Sequence, residues 1–451
     1  MSNRSKKTES AYQCDIVVAG AGPAGLMAAI MAAREGAHVI VLERNDKPLK
    51  KLYATGNGRC NFSNINMEPG VYRGSDPGYA MKIVDYYDRN DLLLFFHNLG
   101  MMTKHIGDYI YPYNEQARTV ADALLLECRR LDIGIFCGET VVDITQAVSS
   151  DDPAEKNDGS EIEEVNITSK AANFTVTTHT HKYRCRRVIA ATGGKASPAH
   201  GSDGNLNGVL TSLGLTMVRQ RPALVPLTFE GKKLSKLAGV RVKCAVRLTI
   251  DDLDASEECG EIIFNKDNIS GIPVMQMSRY ATGAFPQGRM VTVHINLFPD
   301  ETDGELKELL YRAFKGVYDP DRRSDFRKDR KAKEALSLCL NEKLAEYCLL
   351  EAGIIPGSLA GNVPDRQLEK LADILKDLRI AVTGDAGYER AQVTAGGFAV
   401  SELTDDLESR KVKGLYIIGE LCDVDGTCGG YNLQWAFSSG AVAGRSASCL
   451  T

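Results

Sequence analysis

The chain has 451 residues, 43% of them hydrophobic and 25% charged, with a formal net charge of −5. That length allows two or three domains, each burying its own core, and the composition is that of a globular protein rather than a disordered one. The negative balance argues against a nucleic-acid binder that depends on a strongly basic surface, so nucleic acid is not an expected partner.

The first patterned stretch is DIVVAGAGPAGLMAAIMAAREGAHVIVLER, Asp15 to Arg44. Arg4, Lys6 and Lys7 could mimic the basic start of a secretory signal, but Pro23 and three glycines interrupt the apolar core such a signal needs. The alternative is a strand at Ile16–Val18, a G-x-G-x-x-G turn at Gly20, Gly22 and Gly25, a helix over Ala24–Arg34 ended by Gly36, and a second strand over His38–Leu42. The three glycines then serve, in order, a tight turn, close approach of a pyrophosphate, and close packing of helix on strand. The helix N-terminus favours the phosphates' charge. Glu43, at the end of the second strand, is placed to accept hydrogen bonds from a ribose diol. The stretch predicts a dinucleotide site.

No other apolar run approaches the ~20 residues of a membrane span, so no membrane partner is expected. The 12 cysteines are scattered, and without a signal peptide they are expected as reduced thiols in a cytoplasmic protein. No C-x-x-C pair or His-rich cluster suggests a metal.

Further along, a helix is predicted over Val120–Leu131 and strands over Gly134–Cys137, Glu139–Ile144, Glu164–Thr168, Asn173–Thr178 and Arg187–Ala191. The acidic run SSDDPAEKNDGSEIEE between them reads as a long solvated hairpin excursion. RRVIAATGG ends in Thr192, Gly193 and Gly194, a small-residue turn that can pass close to a cofactor. From Leu206 to Pro299 the pattern becomes β-type alternation, as in Val240–Ile250 and Met290–Phe298, and Thr302–Leu378 is largely helical. The run Arg322–Lys333 has seven basic and two acidic residues; it is a solvated helix face or a dock for an anionic partner. The segment Gly414–Ala447 supplies a buried strand, Leu415–Ile418, a loop, and a helix crowded with small residues (Ala436, Ser438, Ser439, Gly440, Ala441, Ala443, Gly444). Small residues permit close backbone approach to another helix or to a bound ring, and the helix reads as the second half of the cofactor site.

Six blocks resemble one family nearly end to end: VVAGAGPAGLMAA, KLYATGNGRCNFSN (Lys51–Asn64), VIAATGGKASP, RPALVPL (Arg221–Leu227), AQVTAGGFAVSEL (Ala391–Leu403) and Gly414–Ala447. They are similar to the BaiN/YhiN-like family of FAD-dependent oxidoreductases, also described as aminoacetone-oxidase-like flavoproteins. The resemblance implies an α/β fold with a glutathione-reductase-type, Rossmann-like FAD-binding domain (12–205 and 391–451), an inserted β-barrel-like domain (206–300 and 379–390) and a helical domain (301–378). By matched position, Gly20, Gly22, Pro23, Ala24 and Gly25 would hold the FAD pyrophosphate, and Glu43, with Arg44 beside it, the adenosine ribose. Lys51, Gly58, Arg59, Cys60 and Asn61 would line the loop over the pyrophosphate, with Thr192 and Gly193 passing nearby. Gly419 and Glu420 would contact the ribityl chain, and Asn432 and Leu433 would present backbone to the pyrimidine edge of the flavin. There a helix N-terminus would stabilise the negative charge that builds on reduction.

The chain departs from the family pattern at Cys422, usually aliphatic; with Cys428 it invites a redox-dithiol reading. No second G-x-G-x-x-G unit is present in mid-chain, so NAD(P)H, if it is the donor, visits the substrate side transiently. Ile272, Val274, Met275 and Met277 are apolar candidates for a substrate cleft at the junction of the FAD and inserted domains. That would suit a hydrophobic enone or steroid; an amine is the family's other implied class. Tyr431, His200 and Arg221 are polar residues in or beside matched blocks, without an assigned acid or base role. Two other readings stay open: a tRNA-modifying flavoprotein, motivated by Arg322–Lys333, and a flavin-bearing sensor without turnover.

Overall fold

The computed structural model describes residues 11–146, 173–316 and 329–449. The acidic run, the strand expected at Glu164–Thr168 and the basic stretch 322–328 lie outside them. The chain packs as two compact units, Met1–Gln220 with Val393–Thr451, and Arg221–Gln392.

The first unit is built on a seven-stranded mixed sheet. Its parallel part runs Gly134–Cys137, Val39–Glu43, Ala11–Ala19, Lys182–Ala190, with Leu415–Ile417 paired to the end of Lys182–Ala190. The other half of Lys182–Ala190 pairs antiparallel with Phe174–Thr178, which pairs with Val141–Gln146. Ile16, Val17, Val18 and Ala19 are wholly buried, as a central parallel strand covered on both faces requires. The first helix is Pro23–Arg34, with Pro at its first position, and Gly36 at φ +90° follows its end. Both are the residues such positions favour, because Pro lacks only an N–H that would be unpaired and Gly tolerates the left-handed turn.

The last helix, Tyr431–Ser448, lies against the first. A Cβ on Gly440 would sit 2.4 Å from the Ala24 carbonyl oxygen, and one on Gly444 would sit 2.3 Å from that of Ala28. These two glycines therefore serve helix-on-helix packing, one of the two close approaches the small-residue face allows.

The second unit holds a seven-stranded sheet in the order Leu378–Val382, Val291–Asn296, Arg241–Ile250, Leu253–Phe264, Asn268–Ser270, Leu227–Thr228, Gly384–Asp385, with every pairing antiparallel. Its two outermost strands are separated in the chain by Thr383 alone, so the chain itself links both edges. The helices Asp303–Lys315, Ala332–Leu336, Glu342–Ala352 and Asp365–Lys376 share one apolar core with this sheet. In Asp365–Lys376 the buried residues Leu368, Leu371, Ala372 and Leu375 form the stripe that docks it. One helix, Ile272–Ala284, interrupts the expected β pattern. Val274 and Met277 are fully buried in the core, so of the apolar substrate candidates only Ile272 is substantially exposed. The short apolar run could not be told from a strand by its pattern alone. The division into separate β-rich and helical domains stays a proposal.

All 12 cysteines are free thiols. Among the described residues no helix is long and apolar enough to cross a membrane.

Candidate functional site

The glycine turn between the first strand and the first helix separates what the protein needs from what a ligand needs. Gly20, at φ +108°, donates its N–H to the Leu42 carbonyl at 2.8 Å, and a Cβ there would lie 2.5 Å from the Ala191 oxygen. A Cβ on Gly25 would lie 1.9 Å from the Gly20 oxygen. Packing thus demands the first and third glycines. Gly22 is extended, and a Cβ there would meet nothing within 4 Å. The open space lies at the N-terminus of Pro23–Arg34, where Ala24 and Gly25 present first-turn N–H groups that have no partner within the helix.

Glu43 is buried at the end of the second strand. One carboxylate oxygen accepts from Ala21 N at 2.9 Å, and the other from Asn45 N and Nδ2 at 2.8 Å each. It fastens the glycine turn to the strand tip. Arg44 points instead to an ion pair with Asp203. Asn45 Nδ2 also reaches the His200 carbonyl at 3.2 Å, which brings His200 to this end of the site with its Nδ1 buried and unpartnered.

The loop after the short helix Lys50–Ala54 is tightly coiled. Gly56, Asn57, Gly58 and Cys60 all have positive φ, at 55°, 54°, 83° and 57°. Cys60 is buried, and that burial pushes its thiol up to about 12. Such a thiol is neutral near pH 7. Arg59 pairs with Glu115 and lies 4.9 Å above the Tyr111 ring. Lys104 and Arg59 together hold the Glu115 carboxyl below the usual range. Asn61 Oδ1 is buried without a partner, and a Cβ on Gly430 would approach it to 2.7 Å. This loop therefore presses on the start of the last helix.

Gly419, at φ +63°, is gripped by that helix: its N–H donates to Ser439 Oγ at 3.0 Å, and its carbonyl accepts from Trp435 Nε1 at 2.9 Å. Glu420 accepts from Lys51 Nζ at 2.6 Å and from Thr394 N at 3.0 Å. Asn432 closes its own loop, exchanging hydrogen bonds with Gly426 N and O at 2.8 and 2.9 Å, while Leu433 is partly buried against the core. Thr192 Oγ1 is buried and unpartnered, and the Thr192 backbone lies 3.1 Å from where a Gly20 Cβ would stand.

The predicted residues thus converge from four chain segments. Gly20 meets Ala191 and Thr192, Ala24 meets Gly419, Lys51 meets Glu420, and Asn61 meets Gly430. Arg44 and Arg59 are drawn to carboxylates, and no such contact ties them to the others. Of the polar candidates, Tyr431 donates its hydroxyl to the Asn66 carbonyl at 2.8 Å, and Arg221 belongs to the second unit. Cys422 is fully buried, its Sγ 3.2 Å from the Ile417 carbonyl, and burial raises its thiol well above the ordinary range. Sequence reasoning named Ser439 only as a small residue of the last helix and missed Thr394, Trp435 and Asn45. Thr394 and Trp435 lie inside quoted blocks, yet their partners are distant in the chain.

These features fit a dinucleotide flavin. The open approach to Gly22, the first-turn helix N–H groups, and the orphaned oxygens of Asn61 and Thr192 are what a pyrophosphate-bridged cofactor would use. Fold and site define a Rossmann-type nucleotide-cofactor oxidoreductase. Residues 14–446 match the family described as the HI0933-like protein Rossmann domain, and the chain belongs to that family, the FAD-dependent oxidoreductases its sequence blocks resemble. The chain is 34% identical over 435 residues to a 3-dehydro-bile acid delta(4,6)-reductase of Clostridium scindens, covering 96% of this chain and 98% of that one. It is 28% identical to a ribosomal RNA dihydrouridine synthase of Escherichia coli K12, covering 94% and 96%. A protein of the same name from Haemophilus influenzae is 27% identical, covering 95% and 97%. These two relatives remove the support for excluding nucleic acid as a partner.

Proposed function

We propose that the protein reduces a carbon–carbon double bond conjugated to a carbonyl in a polycyclic substrate of the 3-oxo-steroid type, with NAD(P)H as electron donor. The observation that carries the reading is the 34% identity to a bile-acid delta(4,6)-reductase across 98% of that protein. The proposed cofactor placement puts the pyrophosphate at Gly22, Ala24 and Gly25, and the adenosine ribose at Glu43. Gly419 and Glu420 would hold the ribityl chain, and Asn432 and Leu433 the flavin edge. When bound, FAD supplies hydride at N5. In the net reaction a hydride adds to the carbon β to the carbonyl and a proton to the α carbon, and the two electrons come from NAD(P)H.

A second substrate has a specific observation behind it: a uracil ring also carries a double bond conjugated to a carbonyl, and two relatives are named for dihydrouridine formation. The same chemistry would serve. Against RNA stands the pairing of two cations on the strand Arg241–Ile250, where Arg241 and Arg247 pair with Glu261 and Asp254 across the hairpin at 3.1 and 2.5 Å. A phosphate-binding stripe needs free cations. The test is anaerobic turnover of 3-oxo-Δ4,6 steroids with NADH or NADPH, followed at the dienone absorption band. Loss of that band supports the reading; an inert steroid alongside dihydrouridine formation in ribosomal RNA would replace it with the second.

A further inference from the structure

Within the block AQVTAGGFAVSEL, Thr394 is wholly buried and sits at a junction of three segments. Its Oγ1 accepts from Lys195 N at 2.7 Å and from Ala196 N at 3.0 Å, which fixes the turn that follows Thr192 and Gly193. Its own N–H donates to Glu420 Oε1 at 3.0 Å, and the other Glu420 oxygen takes Lys51 Nζ at 2.6 Å. Glu420 is thereby held on both oxygens.

The neighbouring glycines are shaped to this junction. A Cβ on Gly194 would lie 2.4 Å from Thr394 Oγ1 and 2.8 Å from Glu420 Oε1. A Cβ on Gly397 would lie 2.6 Å from the Leu421 and Cys422 carbonyl oxygens, directly after the Gly419–Glu420 turn. The close approach of Gly194 and four hydrogen bonds therefore meet at one threonine and the carboxylate it orients. A hydroxyl that accepts from two backbone N–H groups, one of them buried, cannot be removed without leaving donors unpaired.

We infer that Thr394 is a positioning residue of the cofactor site, holding the Gly193–Ala196 turn and the Glu420 carboxylate in one fixed arrangement around the flavin's ribityl chain. This rests on the FAD placement proposed above. Thr394 acts through its neighbours and need not touch the cofactor.

The experiment measures FAD dissociation by flavin fluorescence and the midpoint potential of the bound flavin in the wild-type chain, Thr394→Val, Thr394→Ser and Gly194→Ala. Thr249→Val serves as a control, since Thr249 is a buried threonine hydrogen-bonded to His294 in the other unit. Thr394→Val is expected to weaken FAD binding about tenfold or more and to displace the potential, because two donors lose their acceptor. Gly194→Ala is expected to do the same by pushing on Thr394, and Thr394→Ser to stay within about threefold of wild type. Thr249→Val lowers thermal stability and leaves the flavin properties unmoved. Wild-type affinity and potential in Thr394→Val would overturn the inference. Should that variant fail to fold, wild-type flavin properties in Gly194→Ala would overturn it equally. A wild-type chain that takes up no flavin would instead sink the functional reading on which it stands.

Discussion

Gly419 stands so close to Ala24 that a Cβ at position 419 would lie 2.9 Å from the Ala24 Cβ. This contact joins the turn after the last parallel strand to the first turn of the first helix, 395 positions earlier in the chain. It makes one site of two distant motifs. Gly419→Val is therefore expected to wedge the turn away from the helix and to abolish stable FAD binding. A variant that still binds FAD with wild-type affinity would remove Gly419 from the site.

Gly22 and Gly25 should respond in opposite ways. Gly22→Val enters space that no protein atom occupies within 4 Å, so it is expected to fold with wild-type stability and to lose FAD. Gly25→Ala drives a methyl to 1.9 Å from the Gly20 oxygen and is expected to cost about 1–3 kcal/mol of folding stability. Denaturant midpoints with flavin occupancy distinguish the two. Stoichiometric FAD in Gly22→Val would refute the placement of the pyrophosphate.

Much of the first unit was legible in the sequence because its signals are local. The glycine spacing, the apolar strand Ile16–Val18 and the helix ended by Gly36 each follow from a few adjacent residues, and the structure has them within a residue or two at most boundaries. The strand ahead of the G-x-G turn was longer than expected, Ala11–Ala19, since its outer residues pair with Lys182–Cys185 and carry little apolar pattern. The helix Ile272–Ala284 was missed because its burial comes from a sheet formed by residues on both sides of it. Gly440 and Gly444 could be read as facing another helix or a ligand until their partners Ala24 and Ala28 were in view. Thr394 gave no local sign at all, because its hydrogen bonds run to Lys195, Ala196 and Glu420.

Glu43 does two things at once, so its replacement has two readouts. Glu43→Ala removes the acceptor that holds Ala21 and Asn45 and the proposed ribose partner. FAD affinity is expected to fall by about 1.5–3 kcal/mol, the range for hydrogen bonds to a charged group. Unchanged affinity in titration calorimetry would exclude the ribose role.

Stability should depend on pH through Glu127, whose side chain is 2% exposed and bound by Arg34 and Arg130, each at 2.7 Å. Hydrogen bonds from Arg130 and then Arg34 outweigh burial and lower its carboxyl from 4.5 to about 2. A depressed folded-state value means the unfolded chain binds the proton first, so this stabilisation is present above pH 4.5 and is lost as pH falls toward 2. Glu127→Gln is expected to cost about 1–3 kcal/mol at neutral pH and to flatten that part of the profile. Urea midpoints between pH 2 and 7 check both; an identical slope in the variant would assign the acid sensitivity elsewhere.

The buried Cys422 is expected to resist alkylation in the native protein and to be dispensable for flavin reduction, as a neutral, inaccessible thiol should be. Mass spectrometry after iodoacetamide treatment, with the reduction rate of Cys422→Ala, tests this. Rapid labelling or a lost reduction step would restore a redox role for it.

The converging glycine turn, Glu43, Lys51 and Glu420 are proposed to hold a flavin that nicotinamide reduces. The most direct test is the visible spectrum of the purified protein, recorded anaerobically during addition of NADH and then NADPH, before a 3-oxo-Δ4,6 steroid is admitted. Flavin bands are expected to bleach with a nicotinamide donor and to recover on adding the steroid. A flavin that neither nicotinamide bleaches, or one that stays reduced in the presence of the steroid, would contradict the proposal.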